Sequence, residues 1–83
     1  MTAPRALAER YSLTLVDYLA GAGESALLSA YQFGRRAMDQ GFSVLDITFI
    51  HQDALRRILQ RARDQEDTVR ISRCANEFLV ESL

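Results

Sequence analysis

The sequence is poor in the residues that build most chemical sites. It holds one cysteine, Cys74, so no disulfide forms within the chain and no cysteine cage holds a metal. A lone thiol fits a reducing compartment, which gives the expectation of a cytoplasmic protein. There is one histidine, His51, and one proline, Pro4. No apolar run approaches the roughly 18 residues of a membrane span. The opening "MTAPRALAER" has no continuous apolar segment of the signal-peptide kind. No stretch alternates apolar and polar residues for long enough to argue for a strand, and no internal repeat is visible. Neither charge is in excess: 10 basic and 11 acidic side chains leave a net charge of −1. A dedicated nucleic-acid binder is normally more basic.

What remains is ordinary for a small folded domain. The chain has 83 residues, of which 48% are apolar and 25% charged, so one globular domain spanning 1–83 is expected. A chain of this length buries only about 60% of its unfolded surface. Oligomerisation is a common supplement at this size.

Four amphipathic segments follow from the spacing of apolar residues. Helix one is expected from Pro4 to Ala20, with proline in the first turn, where its missing N–H has no helical partner. Leu7, Tyr11, Leu15, Tyr18 and Ala22 share one face of it. "AGAGE" then ends it. Helix two is expected from Glu24 to Gln40, with Ala26, Ala30, Phe33 and Ala37 inward and Leu27 and Gly34 beside them. Gly34 costs about 1 kcal/mol against alanine in a helix, so a close helix approach must favour it. Gly41 sits where a C-cap belongs. Helix three starts after Ser43, an N-cap residue, with Asp46 at the capping-box position. Its inner line is Val44, Ile47, His51, Ala54, Leu55, Ile58 and Ala62, and it should end near Arg63. Helix four is expected from Glu66 or Asp67 onward, with Ile71, Ala75, Phe78, Leu79 and Ser82 inward. Short connections between four such helices imply an all-α, antiparallel four-helix bundle. "EFLVESL" carries no C-cap signal, so the expectation is the N-terminal part of a longer chain.

His51 invites a chemical reading, because Asp46 and Asp53 lie nearby. Helical geometry separates them. At 100° per residue, Asp46 lies about 140° and Asp53 about 200° away around the helix. A metal-binding histidine on a helix wants a partner at i+4 or i−4, and those positions hold Leu55 and Ile47. No Ser or Cys pairs with His51 by local spacing, as nucleophilic catalysis would need. A phosphotransfer histidine at mid-helix must face solvent, whereas His51 sits on the apolar line. The expected role is a buried, neutral ring bonded to a neighbouring helix. Arg56, Arg57, Arg61 and Arg63 offer a possible phosphate-contacting face, but they spread around the helix and "DQED" follows at once. Arg35 and Arg36 read as partners of Asp39.

Several large apolar residues lie off the inner lines. Leu13 and Val16 do so on helix one, Leu28 and Tyr31 on helix two, and Leu45 and Phe49 on helix three. Leu45 and Phe49, one turn apart, are expected to form a homodimer seam together with Leu13 and Val16.

Three stretches carry a family resemblance. "ERYSLTLVDYL" contributes Arg10, Tyr11 and Tyr18, and "ESALLSAYQFGRRAMDQG" contributes an Ala-x-x-Phe-Gly-Arg core. "SVLDITFIHQDAL" contributes Ile50, His51 and Leu55. Together they resemble the N-terminal domain of RsbU-type phosphatases, regulators of partner switching in bacterial stress responses. The resemblance spans essentially the whole chain. It implies a dimeric helical domain of the KaiA/RsbU kind, without catalytic activity or cofactor. It also implies binding of an RsbT-like switch protein or kinase and relay to a downstream phosphatase or kinase domain in cis. Helix four, leaving the bundle uncapped, would be the conduit. Neither nucleic acid nor membrane is an expected partner. The partner face is assigned to Glu24, Leu28, Tyr31 and Arg35, each one turn from the next, extended by Cys74 and Phe78 on helix four. Leu28 and Tyr31 read equally as dimer or peripheral core. Ser43, Asp46, Gly34, Tyr11, Tyr18 and His51 are assigned structural roles. Two alternatives remain open at this level: a phosphotransfer domain using His51, and a helical nucleic-acid-binding domain using the arginines.

Overall fold

The computed structural model describes residues 5–83, which form helices α1 (Arg5–Asp17), α2 (Glu24–Asp39), α3 (Val44–Leu59) and α4 (Gln65–Ser82). Pro4 lies outside the described residues. No strand occurs among the described residues. The expected all-helical class and the four helices are therefore present.

Each helix end has a local cause. After Asp17 the chain passes through a wide π-type turn, Tyr18–Ala22, in which Gly21 takes φ 101°. That backbone conformation stops the helical period, so Ala22 leaves the α1 stripe and is exposed, contrary to expectation. Gly41, at φ 90°, closes α2. Its N–H donates to the Met38 carbonyl at 3.0 Å, and the Phe42 N–H donates to the Ala37 carbonyl at 3.0 Å. This is a Schellman pair, with Phe42 folded against the core. At the start of α3, the Asp46 N–H donates to Ser43 Oγ at 3.1 Å, and the Ser43 N–H donates to Asp46 Oδ2 at 2.9 Å. This reciprocal capping box is worth about 1 kcal/mol. α3 ends at Leu59, before the expected Arg63, as tight turns carry Arg61 N–H to the Ile58 carbonyl and Ala62 N–H to the Leu59 carbonyl. Asp64 caps α4, accepting from the Asp67 N–H at 2.8 Å.

α1 packs on α2 and α3, and α4 packs on the same two helices from the other side. α2 and α3 scarcely touch, so the ring of neighbours runs α1, α2, α4, α3. The core consists mainly of Leu7, Tyr11, Leu15, Phe33, Ile47, Ile50 and Phe78 with small alanines between them. Two expectations on α3 need correction. Val44 is 50% exposed because it is the first residue of its helix, at the end of the bundle. Ile50 is buried although it lies about 100° from His51. Contact with both α1 and α4 gives α3 a buried arc wider than one stripe.

The most extensive helix pair is α2 with α4, and Gly34 sets its spacing. A Cβ built on Gly34 would lie 1.8 Å from the Ser82 carbonyl oxygen and 2.8 Å from its carbon. Backbone occupies that space, so no side-chain rotation relieves the clash. Gly34→Ala should therefore destabilise the fold, although alanine is the better helix former. Overpacking costs of about 3 kcal/mol outweigh a propensity gain of about 1 kcal/mol. Urea unfolding followed by far-UV circular dichroism should show a loss of about 2 kcal/mol. An unchanged or raised midpoint would show that α2 and α4 are not closely apposed here.

Candidate interaction surfaces

The three ionisable groups of "LDITFIHQD" occupy three separate environments. Asp46 belongs to the capping box. Asp53 accepts from Arg56 Nη2 at 2.8 Å and from Arg57, both on its own helix. These guanidiniums hold its carboxyl below the usual range, the Arg56 hydrogen bond first among the causes. His51 points into the bundle, with 3% of its surface exposed.

There, His51 Nδ1 and the Tyr11 hydroxyl are 2.6 Å apart. Tyr11 is itself 1% exposed. Its ring meets those of Phe33, His51 and Phe78 edge-on, with centroids 5.1, 5.8 and 5.2 Å away. Burial lowers the pKa of His51, so the ring is held neutral. Burial also raises the Tyr11 phenol far above its ordinary value. A ring enclosed in this way is withheld from a phosphoryl donor. Among the described residues, no group of three or more His, Cys, Asp or Glu side chains is placed to hold a metal. Near the top of α1, the Tyr18 hydroxyl donates to Glu77 Oε1 of α4 at 3.0 Å. That bond favours the protonated phenol and raises its pKa.

The outer line of α2 is exposed along its length. Leu28 is 57% and Tyr31 49% exposed, between exposed Glu24 and Arg35. The Arg35 guanidinium lies over the Tyr31 ring, 6.0 Å from its centroid. Met38, 54% exposed, continues the line. Its position seven residues after Tyr31 is a signal the sequence reading passed over. Tyr31 and Met38 then line a groove of about 230 Å³ with Leu83 at the end of α4. Cys74 is half-buried. Phe78 is fully buried, because its ring closes the Tyr11 cluster, and its assignment to the partner face is withdrawn.

A second set of apolar groups lies elsewhere. Leu45 and Phe49 on α3 are 61% and 63% exposed, and Leu13 and Val16 on α1 are 68% and 48% exposed. A shallow depression of about 690 Å³ runs from Phe49 past Leu55 and Leu59. Val69 and Val80 are also exposed on the outside of α4, and the sequence reading assigned them no role. Of the α3 arginines, Arg56 and Arg57 are engaged by Asp53, which weakens the phosphate-binding reading.

Against this geometry, comparison with known families gives a direct answer. The family model described as the N-terminal domain of the phosphoserine phosphatase RsbU matches residues 9–83. The chain belongs to this family. No curated protein and no solved structure matches the chain. No helix among the described residues is long and apolar enough to cross a membrane.

The His51–Tyr11 pair generates a pH dependence with a definite sign. The unfolded ring takes a proton near its ordinary pKa of 6.5, whereas the folded ring does so only at lower pH. Between those values the unfolded state binds more protons, so stability falls as pH falls. The limiting slope is about 1.4 kcal/mol per pH unit. Urea unfolding at a series of pH values from about 7 to about 5 should show this loss in the parent chain and not in His51→Gln. Tyr11→Phe should cost about 1–3 kcal/mol at neutral pH, because a buried imidazole nitrogen loses its partner.

Proposed function

We propose that this RsbU N-terminal domain is a non-catalytic, homodimeric regulatory module of bacterial stress signalling. It works in the cytoplasm, binds an RsbT-like switch protein or kinase, and relays binding through α4 to a phosphatase or kinase module in the same polypeptide. The observation that carries this reading is the exposed line Glu24, Leu28, Tyr31 and Arg35 on α2. Apolar and aromatic groups at its centre with charges at both ends match the core-and-rim pattern of protein interfaces.

Two features support the division of labour between faces. Leu45 and Phe49 are large, exposed and one turn apart on a different helix, which suits a self-complementary seam with Leu13 and Val16. α2, which carries the partner line, lies in backbone contact with the last turn of α4 at Gly34 and Ser82. A displacement of α2 on partner binding would therefore reach α4 directly. No metal or cofactor enters the scheme.

Paired charge substitutions separate the two faces. Leu28→Asp should weaken capture of the switch protein by at least about tenfold and leave the mass in solution at that of a dimer. Phe49→Asp should give a monomer by light scattering. The opposite pattern, with Leu28→Asp monomeric and still able to bind, would exchange the two assignments. A monomeric parent chain at tens of micromolar would remove the dimer from the scheme.

A further inference from the structure

A groove of about 630 Å³ lies where α1, α3 and α4 meet, below the turn that joins α1 to α2. Its apolar lining comes from Val16 and Leu19 on one side and from Ala54, Ile58 and Ile71 beneath. Ala54 and Ile71 are buried, so the floor is part of the packed core. Arg57, Arg61 and Arg70 border it, and no Asp or Glu lines it. Two of these cations are paired with carboxylates outside the groove, so the uncompensated positive charge on its rim is that of Arg61.

The three arginines are not equivalent. Arg57 is held by Asp53 and Arg70 by Asp67. Arg61 is exposed and makes no ion pair with any described residue. Arg70 also donates from Nη1 to the Leu19 carbonyl at 3.0 Å, which ties the rim of the groove to the α1–α2 turn.

We propose that this groove binds a small amphipathic monoanion, an acyl chain ending in a carboxylate. The chain would lie on Val16, Ile58 and Ile71, and the carboxylate would meet Arg61 with Arg70 or Arg57 beside it. The size of the groove favours a small molecule over a partner helix. On α3 it runs from Ala54 to Ile58, about 6 Å at 1.5 Å per residue, and continues over Gln60 and Arg61 in the turn that follows. It is bordered by the α1–α2 turn at Leu19 and Ala20 and by the end of α3 at Gln60. A docked amphipathic helix needs several turns of open groove, whereas pockets of about 300–1,000 Å³ are usual for small ligands. A head group at Arg70 would compete with the Leu19 carbonyl and so act on the turn that leads into α2. The site lies away from the Leu28–Tyr31 line and does not depend on the partner assignment; it shares Val16 with the proposed dimer seam, so a bound acyl chain and the seam would compete for that side chain.

The test is titration of the ¹⁵N-labelled chain with decanoate at submicellar concentration, followed by amide shifts and calorimetry. Decanol and acetate supply the tail and the head separately. Saturable shifts should centre on Val16, Leu19, Ile58 and Ile71. Decanol and the Arg61→Gln variant should each bind about tenfold more weakly, as loss of a charge-assisted contact requires. Arg61 is exposed, and dispersed amide signals of the variant confirm its fold before titration. Equal binding of decanoate and decanol, or shifts centred on Phe49 and Leu45, would overturn the proposal in favour of nonspecific apolar adsorption. Protection of these same amides by the switch protein, with no response to decanoate, would assign the groove to a protein partner instead.

Discussion

The bond between the Tyr11 hydroxyl and His51 Nδ1 is the interaction on which the rest of the bundle depends. It lies at the centre of the core and joins α1 to α3. The same tyrosine ring packs against Phe33 of α2 and Phe78 of α4. One side chain thus contacts an aromatic ring from each of the other three helices. Edge-on aromatic pairs contribute about 0.5–1.5 kcal/mol each beyond their burial. The polar contact is more restrictive, since losing Tyr11 would leave a nitrogen of the buried His51 ring unpaired. Alternative packings that separate α1 from α3 carry that penalty, so the pair selects one arrangement as well as stabilising it.

The only histidine is committed to the interior, so the proposed interaction surfaces lie on the outside. Among the described residues, the buried polar side chains are His51 and Ser82, and large apolar residues lie exposed on outer faces. Gly34 sets α2 closely against the last turn of α4. Because its Cα lies against the Ser82 backbone, α2 and the end of α4 cannot shift independently without opening that contact. In the proposed scheme this contact connects the partner line on α2 to the end of α4.

Much of this was legible from residue spacing. Leu7, Tyr11 and Leu15, the α2 alanines with Phe33, and Ile71, Ala75 and Phe78 could all be placed inward from the helical period alone, and the structure buries them. Local chemistry was equally readable at Ser43, Asp46 and Gly41. The misreadings share one cause, that a single stripe per helix is too simple. Ile50 was left out of the inner line because α3 is packed on two sides. Val44 lies on the period but is the first residue of α3, at the end of the bundle, and Ala22 lies past the end of α1. Phe78 was given two roles at once, and only packing against Tyr11 decides between them. Asp64 was passed over as a cap because its sequence context, "RARDQEDT", reads as a charged connection. The groove beside Arg61 was not legible at all, since its walls come from three helices distant in sequence.

The most direct measurement is the titration of His51 itself, followed through its imidazole ¹⁵N and ¹³C shifts by NMR. A neutral ring through pH 7, with a midpoint clearly below 6.5, is the predicted result for a histidine held by Tyr11 and shielded from water. The midpoint should move in Tyr11→Phe, because the ring loses its partner. A midpoint at or above 6.5 that is indifferent to Tyr11→Phe would contradict this picture. It would return His51 to the surface and reopen phosphotransfer as its role.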